Sequence, residues 1–307
     1  MYFKILSEDL THHGYTYHEG LNVDPNPFDP TPNCRNGLFF ADEKHILDFY
    51  YSGDKIATVT IPDGEKVVQM ENGYKAHKII LSEIRDLWTV ETFEWLKGYD
   101  ADICTFSKRL LYRTIEEKYL EVTKYLIEQD MVAQKDKDPI LCLAAEKGYL
   151  DIVKCLVERG SNGKVIDNIT MCNIIRKGYL HILKYLAMHG LDIHMKNDSA
   201  LCVAALNGKF RIVKYLIKEN ANIHTTNDFA LSRAAEKGYL NIVKLLIESE
   251  TDGHIPERIL YIAVEYNRLE IVKYLVELGV GKKNKALKIA KAYEHSDIIQ
   301  YLEEQET

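Results

Sequence analysis

The stretch "AAEKGYLDIVKCLVERG" at residues 144–160 returns as "AAEKGYLNIVKLLIESE" at 234–250, and "IIRKGYLHILKYLAMHG" and "AALNGKFRIVKYLIKEN" lie between them at 174–190 and 204–220. Gly148, Gly178, Gly208 and Gly238 mark the copies, thirty residues apart. A short fixed period is the mark of a unit too small to bury its own apolar face, which gains a core only by stacking on copies of itself. This one feature excludes most single-core folds.

Within the unit the pattern predicts two helices. Asp138 stands where an N-cap accepts a backbone hydrogen bond, and Gly148 stands where a left-handed residue ends the helix. Asn168, Asp198 and Asp228 repeat the cap slot. Leu150, Ile152, Val153, Leu156 and Val157 then form an apolar stripe at helical spacing, with Asp151, Lys154 and Glu158 on the wet side. The pairs Ala144–Ala145, Ala204–Ala205 and Ala234–Ala235 put the smallest side chains where neighbouring helices must approach. Seven second helices are expected, around Val122, Ile152, Ile182, Ile212, Ile242, Ile271 and Ile298. Lys124, Lys154, Lys184, Lys214, Lys244 and Lys273 recur in one slot, followed four residues later by Glu128, Glu158, Glu248 and Glu277 in four of the units, which predicts a solvated face of weak ion pairs.

Residues 1–105 have another texture. The proline-rich "DPNPFDPTP" at 24–32 can be neither helix nor central strand. "NGLFF" at 36–40 reads as a strand, "DEKHILDFYYSG" at 42–53 as a short helix, "KIATVTIPDGEKVVQM" at 55–70 as two strands around a Pro-Asp-Gly turn, and "HKIILSEI" at 77–84 as a further strand. The domains expected are therefore an acidic α+β domain over 1–105 and a helical stack over 106–307.

Of 39 Lys/Arg and 46 Asp/Glu, residues 1–105 hold 9 and 18, so the net charge of −7 resides there and the repeats are near neutral. No basic face offers itself to phosphates, so nucleic acid is not an expected partner. No run reaches the roughly 18 apolar residues of a membrane span, and "MYFKILSEDL" does not read as a secretory signal. An intracellular protein is expected. The six cysteines show no CxxC pair, and Cys142, Cys172 and Cys202 share one repeat slot, which predicts small buried residues in a reducing compartment.

"ALSRAAEKGYLNIVKLLIE" at 230–248 and "ALCVAALNGKFRIVKYLIKENANI" at 200–223 resemble ankyrin repeats. The resemblance implies a mostly α solenoid of helix pairs, about seven repeats of period near 30, preceded by the small α+β domain. The units at 115–129 and 289–305 are degenerate, as terminal caps are. Only ten residues separate Ala221 from Leu231, about three fewer than the family uses, and Asp-x-Ala replaces Thr-Pro, so a trimmed finger is expected. The wording "KGYL.IVKYLIE", with the N-terminal segment from His12 to Leu81, also resembles the ankyrin families of giant DNA viruses of the mimivirus group.

What the resemblance implies is a non-enzymatic scaffold whose concave face, built from fingers and first helices, takes a protein partner of the host. The matching positions are Lys196, Asn197, Leu206, Asn207, Asn227, Phe229, Arg233, Glu236, Lys237 and Tyr266, with Phe229 foremost because aromatics and arginines dominate binding hot spots. The competing reading of Phe229 is packing against a neighbouring finger. His12, His13, His18 and Glu19 lie near Asp24, Asp29 and Cys34, yet their spacing matches no structural or catalytic zinc motif, so neither metal nor cofactor is expected. An alternative comes from "GLFFAD" at 37–42, which is loosely similar to a strand of ADP-ribosyltransferase folds. His12 or His13 and Phe39 would be the matching positions, but Phe39 lacks the family's tyrosine hydroxyl and no catalytic glutamate follows at a matching slot.

Overall fold

The computed structural model describes residues 1–12, 14–33, 36–249 and 255–305, together with the backbone but not the side chains of Ser107, Thr225, Thr226 and Asn227. These residues divide into two compact units, 1–144 with 151–161, and 145–150 with 162–307.

The first unit is organised by β1 (Tyr2–Leu6), whose five residues are buried on both faces except for a half-exposed Tyr2. It pairs antiparallel with β5 (Leu38–Asp42) on one side and β6 (Lys55–Thr60) on the other, with Ile5 opposite Ile56. With β4 (Gly20–Val23), β7 (Val67–Gln69), β8 (Tyr74–Ala76) and β9 (Lys78–Asp86) it forms a seven-stranded sheet of order β4-β9-β6-β1-β5-β8-β7. A two-stranded ribbon of β2 (Thr11–His12) and β3 (Tyr15–Thr16) stands apart.

The two strands expected around the Pro-Asp-Gly turn both form, but they do not pair with each other. β6 lies inside the sheet against β1 and β9, whereas β7 reaches the far edge and pairs only with β8. The helix expected over 42–53 is a 3-10 helix at Ile46–Ser52. Leu6, Leu38, Phe40, Ala57, Val59, Ile79 and Leu81 make one core cluster with Tyr17. On the other side Phe3 meets the edges of Trp95 and Tyr99, carried on or just beyond α1 (Val90–Lys97), which Thr89 caps by accepting from Thr92 N.

Helices α2 (Ile103–Glu116) and α3 (Leu120–Glu128) belong to the same unit, as do most of α4 (Gln134–Lys147) and α5 (Leu150–Glu158). Asp54, just before β6, accepts from Trp88 Nε1 at 3.0 Å and from Arg113 Nη2 of α2 at 3.3 Å, and Trp88 stacks on Tyr119 at 5.3 Å. The strand-rich portion is thereby fastened to the first helix pair by a polar and aromatic clasp.

The second unit repeats one motif: α6 (Asn168–Lys177) with α7 (Leu180–Met188), α8 (Met195–Leu206) with α9 (Phe210–Lys218), α10 (Thr225–Lys237) with α11 (Leu240–Glu248), α12 (Arg258–Glu265) with α13 (Leu269–Glu277), and α14 (Lys283–Ala292) with α15 (Ser296–Glu304). First helices touch first helices along the row, and from α9 onward second helices touch second helices. Each of the seven predicted second-helix residues lies in a helix and is buried. Ala204, Ala205, Ala234 and Ala235 are fully buried, as close helix approach requires.

Gly148, Gly178, Gly208 and Gly238 all have left-handed φ, from +67° to +91°. At Gly208 a Cβ would also fall 2.8 Å from the Tyr239 ring of the next unit. Glycine is therefore required twice there, for conformation and for space.

The expected caps need correction. Asp138 lies inside α4, which begins at Gln134 and runs through Pro139. Asn168 is the first residue of α6, and the capping side chain is Asp167, which accepts from Thr170 N at 2.7 Å. Asp198 and Asp228 each lie three residues inside α8 and α10 and are left-handed, at φ 55° and 53°. Each pairs instead with the histidine four residues earlier, His194 Nδ1 at 2.5 Å and His224 Nδ1 at 2.9 Å. Their second oxygens reach the following unit, to Asn222 N and to Arg258 Nη2, both at 3.0 Å. These aspartates link units rather than cap helices. The finger is reduced to such turns, and among the described residues no strand occurs in the second unit.

Candidate functional site

Two places among the described residues bear on the expected sites. The first is the face made by the turns and first helices of the second unit. Lys196 and Asn197 are exposed, and with Asp198 they form three successive left-handed residues. Such a run costs roughly 1–2 kcal/mol per residue, less for Asn and Asp, and the His194 and Asn222 bonds to Asp198 hold it in place. Leu206 and Asn207 are half-buried at the end of α8, and the Asn207 amide is turned back to Val203 O at 2.8 Å. The side chain of Asn227 lies outside the described residues.

On α10 the structure brings four of the expected residues together. The Arg233 guanidinium lies over the Phe229 ring, 4.5 Å from its centroid, and the same guanidinium pairs with Glu236. Lys237 joins Glu236 from the other side at 3.1 Å. The Arg233 hydrogen bond, with help from Lys237, holds the Glu236 carboxyl below its usual range. Phe229 therefore packs on its own helix through Arg233 and stays half-buried. Tyr266, at the matching end of α12, is 45% exposed. One contributor that hot-spot reasoning passed over is Ile169, in the slot of Phe229 and 70% exposed.

The lysine stripe differs from its expectation. Among the described residues only Lys124 makes the ion pair four residues on, with Glu128 at 3.7 Å, and Lys273 pairs backwards with Glu270 at 2.9 Å. Lys184 and Lys244 lie instead over the rings of Tyr215 and Tyr274 in the next units, at 5.2 and 5.0 Å. The recurring tyrosine after each of several lysines was the available signal. Cysteines also depart in part: Cys155 is buried, Cys142, Cys172 and Cys202 are half-buried, and Cys104 is exposed.

The second place is a cavity of about 850 Å³ in the strand-rich portion of the first unit, lined among others by Lys4, His12, Tyr17, Asp24 and Phe39. Lys4 of β1 is 2% exposed. Its Nζ donates to Phe39 O at 2.6 Å, lies 3.4 Å from His12 Nδ1, and sits 4.4 Å above the Tyr17 ring. Burial draws the Lys4 ammonium down to about 7 and pushes the Tyr17 phenol up. Among the described residues no carboxylate forms an ion pair with Lys4.

The acidic residues near the histidines are used locally. Burial would raise the Asp24 carboxyl, but hydrogen bonds from Asn26 and from Gly37 N hold it low. Asp29 accepts from Thr31 and Asn33. His13 and Cys34 lie outside the described residues, and no group of three His, Cys, Asp or Glu able to hold a metal occurs among the described ones. His12 and Phe39, the matching positions of the alternative reading, both approach Lys4 Nζ, His12 through its Nδ1 and Phe39 through its backbone oxygen.

Comparison with known proteins accounts for the repeats. The family model described as ankyrin repeats in three copies matches residues 86–167 and 171–257, together more than half of the chain. Among curated proteins, the putative ankyrin repeat protein R896 of Acanthamoeba polyphaga mimivirus is 29% identical over 133 residues, 41% of this chain and 40% of R896. The putative ankyrin repeat protein R868 of the same virus is 29% identical over 42% of this chain and 67% of R868. The uncharacterized protein R869, also from that virus, is 30% identical over 41% of this chain and 97% of its own length. The chain thus spans well under half the length of R896. Among solved structures, the ankyrin repeat domain of human ASB11 aligns with a TM-score of 0.46 and 22% identity, over 53% of this chain and 82% of that one. The thirty-residue period, the paired helices with left-handed glycines, and the match across more than half its length establish that this chain belongs to the ankyrin-repeat family.

Proposed function

We propose that the chain is a non-enzymatic viral scaffold that holds a host protein against the turns and first helices of its second unit, in the cytoplasm of the infected cell. The observation that carries the reading is the α10 cluster, in which Phe229 and Arg233 present a stacked aromatic-cation pair flanked by Glu236 and Lys237. Arginine held flat against an aromatic ring loses little freedom on binding and presents its remaining donors to a partner. Lys196, Asn197, Leu206, Asn207, Asn227 and Tyr266 extend the surface on either side. Residues 1–105 would be a module of their own role, clasped to the first helix pair through Asp54, Trp88, Arg113 and Tyr119. Neither nucleic acid nor a membrane is a partner in this reading.

The test uses the full chain as bait in lysate of infected amoebae, with quantitative mass spectrometry. Phe229→Ala with Arg233→Ala should lower recovery of the specific partner by at least about tenfold, with the circular dichroism unchanged. Equal recovery from both baits would remove this face from consideration. The alternative is an enzyme or degenerate enzyme of ADP-ribosyltransferase type in the N-terminal part with the repeats as its targeting arm, for which the place of His12 and the Phe39 backbone beside Lys4 Nζ is the one supporting observation. Transfer of label from labelled NAD to any protein would favour that alternative.

A further inference from the structure

Lys4 is outside the interaction surface, and ordinary folding economy gives no reason to keep it. A lysine at the centre of a sheet, buried and paired with no carboxylate among the described residues, is costly unless its amine does something there. It does not snorkel to solvent. Lys4 lines the 850 Å³ cavity, a size suited to a small organic ligand, and the residues its Nζ meets, His12, Tyr17 and Phe39, line it too. Tyr17 lies under the amine, and Phe40 and Tyr74 stack on one another along the same cavity, so the space beside Nζ is flanked by flat aromatic surface. Asp24 in the same wall is occupied by Asn26 and Gly37 N and does not serve as the missing counterion.

From this geometry we propose that the cavity binds a small aromatic aldehyde and holds it as an imine on Lys4 Nζ. The Nζ lone pair attacks the carbonyl carbon, and the C–O π pair moves onto oxygen. A proton passes from nitrogen to that oxygen, giving the carbinolamine. The nitrogen lone pair then forms C=N as the hydroxyl takes up a proton and leaves as water, and the iminium N–H gives one proton back to leave the imine. Amine and aldehyde become imine and water, and no oxidant or reductant takes part. His12 Nδ1, 3.4 Å from Nζ, is placed to relay the proton in the tautomer whose Nδ1 carries no hydrogen.

The environment meets the main demand of this chemistry, a neutral amine at neutral pH. With its ammonium drawn down to about 7, about half of Lys4 is unprotonated there, against roughly one in a few thousand for an ordinary exposed lysine.

The experiment incubates the intact chain with limiting benzaldehyde and cyanoborohydride at pH 7 and maps the benzylated residues by mass spectrometry. Lys4 should be labelled at least about tenfold faster than any exposed lysine, with saturation in benzaldehyde. Its rate should level off above pH about 7 while exposed lysines continue to gain. His12→Ala should slow labelling of Lys4 and leave the exposed lysines unaffected. Labelling confined to exposed lysines and the Met1 amine, or Lys4 labelling that rises linearly with benzaldehyde and ignores His12→Ala, overturns the proposal. Both readouts use chains that keep Lys4, so neither depends on how a Lys4 variant folds.

Discussion

The sheet of the first unit and the helix row of the second reach burial by opposite routes. In the row, partners are about thirty residues apart: Asp198 reaches Asn222, Asp228 reaches Arg258, and Tyr239 covers Gly208. In the sheet, β1 pairs with strands near residues 41 and 58, and β4 pairs with β9 nearly sixty residues on. Repeats should therefore lose stability piecemeal, each through its neighbours, whereas strands closed by long-range pairings should open together.

The largest test of that contrast sets Leu216→Ala in α9 against Leu81→Ala in β9. Both leucines are fully buried, so each change should cost about 2–5 kcal/mol. Hydrogen exchange should separate them. Leu216→Ala should expose amides chiefly in α7 to α11, and Leu81→Ala should raise exchange across β1, β4, β5, β6 and β9 alike. A local response in both, or a global one in both, would break the comparison.

Next in size is Lys4→Met, which should stabilise the sheet. The folded ammonium gives up its proton near 7 and the unfolded one near 10.5, so between those values the unfolded chain binds more protons and native stability rises with pH. The burial penalty is thus complete below pH 7 and absent above about 10.5. Relieving it, less the cost of leaving Phe39 O without its donor, should leave a gain of about 2 kcal/mol at pH 6 that dwindles as pH climbs toward 10. Urea melts of both proteins across that range check the sign. A gain that did not shrink with rising pH would mean that Lys4 is not the titrating group.

The two regions were unequally legible for the same reason. Thirty-residue spacing displayed the helix pairs, the buried alanines and the left-handed glycines directly, because the contacts that define them recur in sequence. The caps were misread because Asp198 and Asp228 resemble N-caps locally but are committed to Asn222 and Arg258 one unit on. In the N-terminal part, local patterning found β5, β6, β7 and β9 but could not reveal that β7 abandons β6 for β8, since strand pairing is decided by distant residues. β1 went unread, although Lys4 shares its strand face with Leu6, and that neighbour was a hint that the lysine is not on a wet surface. The cavity had no sequence signal, because it is assembled from segments spread between residues 3 and 74.

A smaller effect distinguishes the glycines of the row. At Gly178 the nearest atoms an alanine would meet belong to the flexible end of the Lys209 side chain, at 3.6 Å or more, so it should cost about 1 kcal/mol for its left-handed φ. Alanine at Gly208 must also displace the Tyr239 ring, adding about 0.5–1 kcal/mol. In a Tyr239→Lys background, which copies the arrangement at Lys209, thermal melts of the two alanine variants should show equal losses. An excess that persisted at Gly208 would place its cause in the backbone instead.

The smallest expected effect decides how the lysine stripe works. If Lys244 stacks on Tyr274 of the following unit, a double-mutant cycle of Lys244→Ala and Tyr274→Leu should give a coupling of about 0.5–1 kcal/mol that survives 0.5 M salt. A cycle of Lys124→Ala and Glu128→Ala, across a 3.7 Å exposed pair, should give about 0.3–0.5 kcal/mol and lose most of it in the same salt. The difference matters because the first coupling joins adjacent repeats, and so raises the cooperativity of the row, while the second acts within a single helix. A salt-sensitive Lys244–Tyr274 coupling would return the stripe to a merely solvated face and leave the joining of adjacent repeats to other polar ties, the links at Asp198 and Asp228 among them.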